Sequence, residues 1–70
     1  MKLGVIGAGE MGTALIKGLL KSETVDEGNI IASDPDTERL SALKELGVKT
    51  TTDNKVAAEQ TDIIFLAVKP

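Results

Sequence analysis

Gly7-Ala8-Gly9-Glu10-Met11-Gly12 carries three glycines at the spacing G-x-G-x-x-G. What stands on either side decides the fold. Lys2 to Ile6 reads as a short apolar strand that the glycines cut off. From Glu10 to Lys21 the apolar positions Met11, Ala14, Leu15 and Leu19 recur at helical spacing, with Gly18 on the same face. A glycine string between a strand and a helix has a physical job at each position. Gly7 permits the sharp exit from the strand, Gly9 lets a pyrophosphate approach the backbone, and Gly12 lets the helix press on the strand. The amides of Gly9, Glu10 and Met11 open the helix, and their unpaired N–H groups bind a dianion without a basic side chain. Without that role, the same glycines would only make a tight turn.

Further along, short apolar runs alternate with helical segments, the mark of βαβ construction. Asp26 to Asn29 is turn chemistry, and Asn29 to Ser33 a second strand. Asp34-Pro35-Asp36 offers a capping acid and a first-turn proline to a second helix, whose buried stripe is Leu40, Leu43 and Leu46. Gly47 stands where a left-handed C-terminal cap is expected. Val48 to Thr52 reads as an outer strand. Asp53 or Asn54 caps a third helix running to about Gln60. Ile63 to Val68 is apolar at consecutive positions, which predicts a strand covered on both faces. The expectation is a three-layer α/β/α domain, β-α-β-α-β-α-β, with a parallel sheet. Right-handed crossovers put the strand before the glycines in the middle and give the order 3-2-1-4.

Asp34 lies 22 residues after Gly12, near the spacing of about 20 for an acid that hydrogen-bonds the adenosine ribose. A helix cap is the competing role, and the two are compatible. Glu10 suits the helix dipole but would repel a phosphate if turned inward, so it is expected to face solvent.

Composition bounds the rest. Eight basic and 11 acidic residues in 70 give a net charge of −3, with no Cys, His, Trp or Tyr and one Phe. No thiolate nucleophile, disulfide or usual zinc site follows, and no metal is expected. The acidic balance and single aromatic argue against a nucleic-acid surface. The longest apolar run is too short to span a membrane. A cytoplasmic setting is the default expectation.

Gly4-Val5-Ile6-Gly7-Ala8-Gly9, Met11-Gly12, Ala14-Leu15 and Lys17-Gly18 resemble the opening of the pyrroline-5-carboxylate reductase family. Ser33-Asp34-Pro35-Asp36, Gly47-Val48-Lys49, Asp53-Asn54-Lys55 and Phe65-Leu66-Ala67-Val68-Lys69-Pro70 extend the resemblance over the whole chain. It implies the N-terminal NAD(P)-binding part of an oxidoreductase of proline biosynthesis, a helical C-terminal domain beyond Pro70, and a homo-oligomer. It also implies sites: Ile6, Gly7, Ala8, Gly9, Glu10, Met11 and Gly12 around the pyrophosphate; Ser33, Asp34 and Asp36 around the ribose and its 2′-phosphate; Asn54 on the adenosine side; Ala67, Val68, Lys69 and Pro70 beside the nicotinamide ribose. The family leans to NADP, whereas Glu10 and Asp34 add negative charge where it has uncharged residues and lean to NAD. No catalytic residue is expected within the 70, which alone would be inactive. The alternatives are the cofactor domain of a related dehydrogenase, of hydroxyacid, prephenate or coenzyme-F420:NADP type, or a truncated or redesigned half-module.

Overall fold

The computed structural model describes residues 1–68; Lys69 and Pro70, expected beside the nicotinamide ribose, lie outside the described residues. Four strands and three helices alternate: β1 Leu3–Ile6, α1 Glu10–Lys21, β2 Ile30–Ser33, α2 Thr37–Glu45, β3 Lys49–Thr51, α3 Asn54–Glu59 and β4 Ile63–Leu66. A single 3-10 turn, Glu27–Asn29, precedes β2 in the segment read as a turn. All strand pairs are parallel, and the sheet order is β3-β2-β1-β4. This is the expected Rossmann-type arrangement, with β1 flanked by Leu3↔Ile30 on one side and Leu3↔Ile63 on the other.

Right-handed crossovers place α1 and α2 on one face and α3 on the other. On the first face Val5 and Ala32 meet Ile16 of α1 and Leu40 and Leu43 of α2 in one buried cluster. On the second, Gly4 lets α3 approach: a Cβ there would stand 2.9 Å from Thr61 Oγ1 and 3.5 Å from the Ala57 carbonyl oxygen.

Four expectations about faces and caps are corrected. In α1 the buried residues are Gly12 and Ile16, with Leu15 and Leu20 packed against the core. Met11, at 65% exposure, Ala14 and Gly18 face out. Helix and sheet meet at Gly12, which has no side chain, so the apolar pattern caught Leu15 but missed Gly12 and Ile16 and counted Met11, Ala14 and Gly18 as inward. In α2 the cap is Asp36, whose carboxylate accepts the Glu38 amide at 2.9 Å, so neither Asp34 nor Pro35 belongs to the helix. Leu46 is 40% exposed because the helix ends before it; the chain turns through Gly47 at φ +88° and buries Val48 instead. The last correction concerns β4. Ile63, Ile64 and Phe65 are 37–41% exposed and Leu66 72%. Its consecutive apolar residues are not covered on both faces: among the described residues no helix packs over the outer part of β4, which lies at the edge that the expected order gave it.

Candidate functional site

The carboxyl ends of β1 and β2 open into a cleft of about 860 Å³, within the range of small-molecule sites, about 300–1,000 Å³. Its floor is the glycine turn. Gly7 has φ +107°, a conformation that disfavours side chains, and a Cβ there would meet the Ala67 carbonyl oxygen at 2.7 Å. A Cβ at Gly12 would run into the Gly7 carbonyl oxygen, so α1 lies directly on the turn. Gly9 differs from both. Its φ is −74°, and the nearest atom to an added Cβ is Arg39 Nη1 at 3.8 Å. Bare backbone faces the cleft there.

The helix that starts at this point has no side-chain cap, whereas α2 and α3 are capped by Asp36 and Asp53. First-turn amides of α1 are therefore left for a ligand or water, and the helix dipole adds positive potential. Thr13 Oγ1 donates to the Ala8 carbonyl oxygen at 3.1 Å and ties the turn to the helix. This donor set fits the pyrophosphate of a dinucleotide, which brings its own charge and needs close approach to amides.

Asp34 forms the wall at the end of β2. Its Oδ2 accepts the Ala8 amide at 2.8 Å and its Oδ1 the Asp36 amide at 2.8 Å, with the side chain 5% exposed. Burial pushes this carboxyl up, but the two amides and the Arg39 guanidinium outweigh burial, and its pKa lies below the ordinary 3.8. Asp34 thus clamps the glycine turn to the start of the β2–α2 connection.

Of the residues expected at the site, Gly7, Ala8, Gly9, Glu10, Met11, Asp34, Ala67 and Val68 line the cleft. Glu10 is exposed in the first turn of α1, as expected. Ile6 and Gly12 lie behind the turn and do not line the cleft. Ser33 is buried and donates through Oγ to Asn54 Oδ1 at 2.6 Å, so these two are joined to each other rather than brought to the cleft wall. Asp36 caps α2. Arg39 was not among the expected site residues, yet it lines the cleft, 3.7 Å from Asp34 Oδ2 through Nη1 and 3.7 Å from Asp36 Oδ2 through Nε. Its position three residues after Asp36 was the available signal, since side chains at that spacing meet on a helix.

A parallel sheet with the order 3-2-1-4, a glycine turn at its central strand and an uncapped helix facing a cleft define an NAD(P)-binding domain of Rossmann type. The model of the family described as "NADP oxidoreductase coenzyme F420-dependent" matches residues 2–70, and the chain belongs to that family. Among curated proteins it is 47% identical over 70 residues to a pyrroline-5-carboxylate reductase of Methanosarcina acetivorans, covering 99% of this chain and 26% of that protein. It is 42% identical over 72 residues to pyrroline-5-carboxylate reductase 2 of Macaca fascicularis, covering 100% of this chain and 22% of that protein. A third, from Corynebacterium melassecola, is 38% identical over 69 residues, covering 97% of this chain and 25% of that protein. The chain spans about a quarter of the length of these curated relatives.

Proposed function

We infer that this chain is the cofactor-binding domain of a pyrroline-5-carboxylate reductase, and that it holds NAD(P)H for reduction of 1-pyrroline-5-carboxylate to L-proline. The observation that carries the reading is the uncapped opening of α1 at Gly9, bare toward the cleft. The amides of Gly9, Glu10 and Met11 take the pyrophosphate, with Ile6, Gly7, Ala8 and Gly12 shaping the turn beneath them. Asp34 and Asp36 form the ribose end, with Ser33 and Asn54, hydrogen-bonded to each other, supporting it from behind on the adenosine side, and Ala67 and Val68, with Lys69 and Pro70, form the nicotinamide side. When bound, the cofactor supplies the hydride; the chain binds and orients it. Substrate binding and proton delivery to the imine nitrogen fall to the rest of a longer, homo-oligomeric, cytoplasmic protein, in keeping with relatives about four times as long.

The domain accepts both NADH and NADPH. Asp34 spends its oxygens on backbone amides and has a cation beside it, which reduces the repulsion that a free acid would exert on a 2′-phosphate. A coenzyme-F420:NADP oxidoreductase is the second reading and has the family description in its favour; the relatives favour the reductase. Titration of the chain with NADH and NADPH, followed by nicotinamide fluorescence, tests the domain's part. The absence of Trp and Tyr leaves that signal clean. Saturable binding of both is expected, and no binding of either would leave a half-module without this function.

A further inference from the structure

We propose that Met11 is an oxidative modification site: oxidation of its thioether to the sulfoxide by a hydroperoxide weakens the hold of the cleft on a pyrophosphate, and reduction of the sulfoxide restores it. The proposal rests on the dinucleotide-binding reading and names a regulation of that same site. With no Cys, His, Trp or Tyr in the chain, Met1 and Met11 are its readily oxidised side chains. Both are open to solvent, at 78% and 65% exposure. Met1 precedes β1, at the end of that strand opposite the cleft. Met11 lines the cleft. Methionine ordinarily fills gaps in a core. Here the core of α1 is built by Gly12 and Ile16, and the fold makes little use of the Met11 side chain.

Its place on the helix says what the modification does. Met11 is the second residue of α1, and helical side chains lean back toward the helix N-terminus. That end is the uncapped one, with first-turn amides open to a ligand. A thioether is a weak acceptor and leaves those amides to a phosphate. A sulfoxide oxygen carries partial negative charge and accepts hydrogen bonds well, so it competes for the same N–H groups and repels an incoming phosphate oxygen. The chemistry balances. A sulfur lone pair takes one peroxide oxygen as the O–O bond breaks, and the other oxygen leaves, protonated, as water or an alcohol. Reduction by a dithiol returns the thioether and gives a disulfide and water. The fold survives the change because Met11 stands outside the core.

Calorimetric titration with NADH tests this on wild type and Met11→Leu, each before and after hydrogen peroxide that is then removed with catalase. Peptide mass mapping counts the oxygens on Met1 and Met11, and thermal melts follow the fold. Oxidised wild type is expected to bind NADH about fivefold or more weakly, to regain affinity with methionine sulfoxide reductases, and to melt where the reduced protein does. Met11→Leu, which keeps Met1, serves as its own reference: whatever its starting affinity, peroxide is expected to leave it unchanged. Full oxidation of Met11 with no change in affinity would overturn the proposal. So would an equal peroxide effect in Met11→Leu, which would assign the loss to Met1, or a lower melt in oxidised wild type, which would make the effect damage to the fold. Resistance of Met11 to peroxide would overturn it too. If reduced wild type does not bind NADH, the cofactor reading itself fails and this proposal falls with it.

Discussion

At the scale of single residues, Asp34 and Gly9 carry different halves of the site. Asp34 is bound to Ala8, 26 positions away in sequence, and that bond, beside the Gly7 amide on the Ser33 carbonyl oxygen at 2.7 Å, joins the end of β2 to the glycine turn. A carboxylate held below its ordinary pKa contributes stability that is complete above the unfolded value near 3.8 and is lost as pH falls through the folded value. The thermal midpoint of the wild type is therefore expected to drop as pH is lowered from about 5 to about 3, and Asp34→Asn is expected to melt lower at neutral pH by ~1–3 kcal/mol. Its pH dependence over the same range should be shallower, as thermal melts across the range will show. An equal slope in the variant would place the acid sensitivity elsewhere. The spacing of Asp34 from the glycines was legible in the sequence, but its inward turn was not, because spacing says nothing about which amide an oxygen meets. Arg39, five residues after Asp34, was legible as a cation near the groove, but its place against Asp34 depends on where that carboxylate points.

Element by element, the order of strands and helices follows from local pattern and the handedness of βαβ units. Strand and helix types agree with the sequence reading throughout, and all four strands fall one or two residues short of it. The face of α1 is where the pattern misled. Gly12 is invisible to hydrophobic periodicity, yet it is the closest contact between helix and turn. Ile16, one turn on, is fully buried while Met11 is exposed. Ile16→Ala is thus expected to cost ~2–5 kcal/mol, and Met11→Ala under about 0.5 kcal/mol, by denaturant unfolding. The reverse ranking would restore the stripe read from the sequence. Gly12→Ala sets a methyl against backbone that cannot yield and should cost ~3 kcal/mol or leave the chain unfolded.

For the molecule as a whole, the exposed apolar strand β4 is the chief departure from a self-sufficient domain. Its sequence reads as interior and its position is an edge, and only the second is a property of how these 70 residues pair. An unpaired apolar edge invites association. Sedimentation of the 70-residue chain is expected to show concentration-dependent self-association, reduced in Leu66→Lys; a clean monomer at high concentration would refute this. The cofactor site stands on the opposite logic, since its key surface is an absence of side chain. At Gly9 a methyl fits the fold, with φ −74° and its nearest neighbour 3.8 Å off, but occupies the approach to the α1 amides. Calorimetric titration of wild type and Gly9→Ala with NADH, beside their thermal melts, tests the central claim most directly. The account predicts a loss of affinity of about tenfold or more, ~1.4 kcal/mol, with thermal stability nearly unchanged. Equal affinity in the two proteins would contradict it.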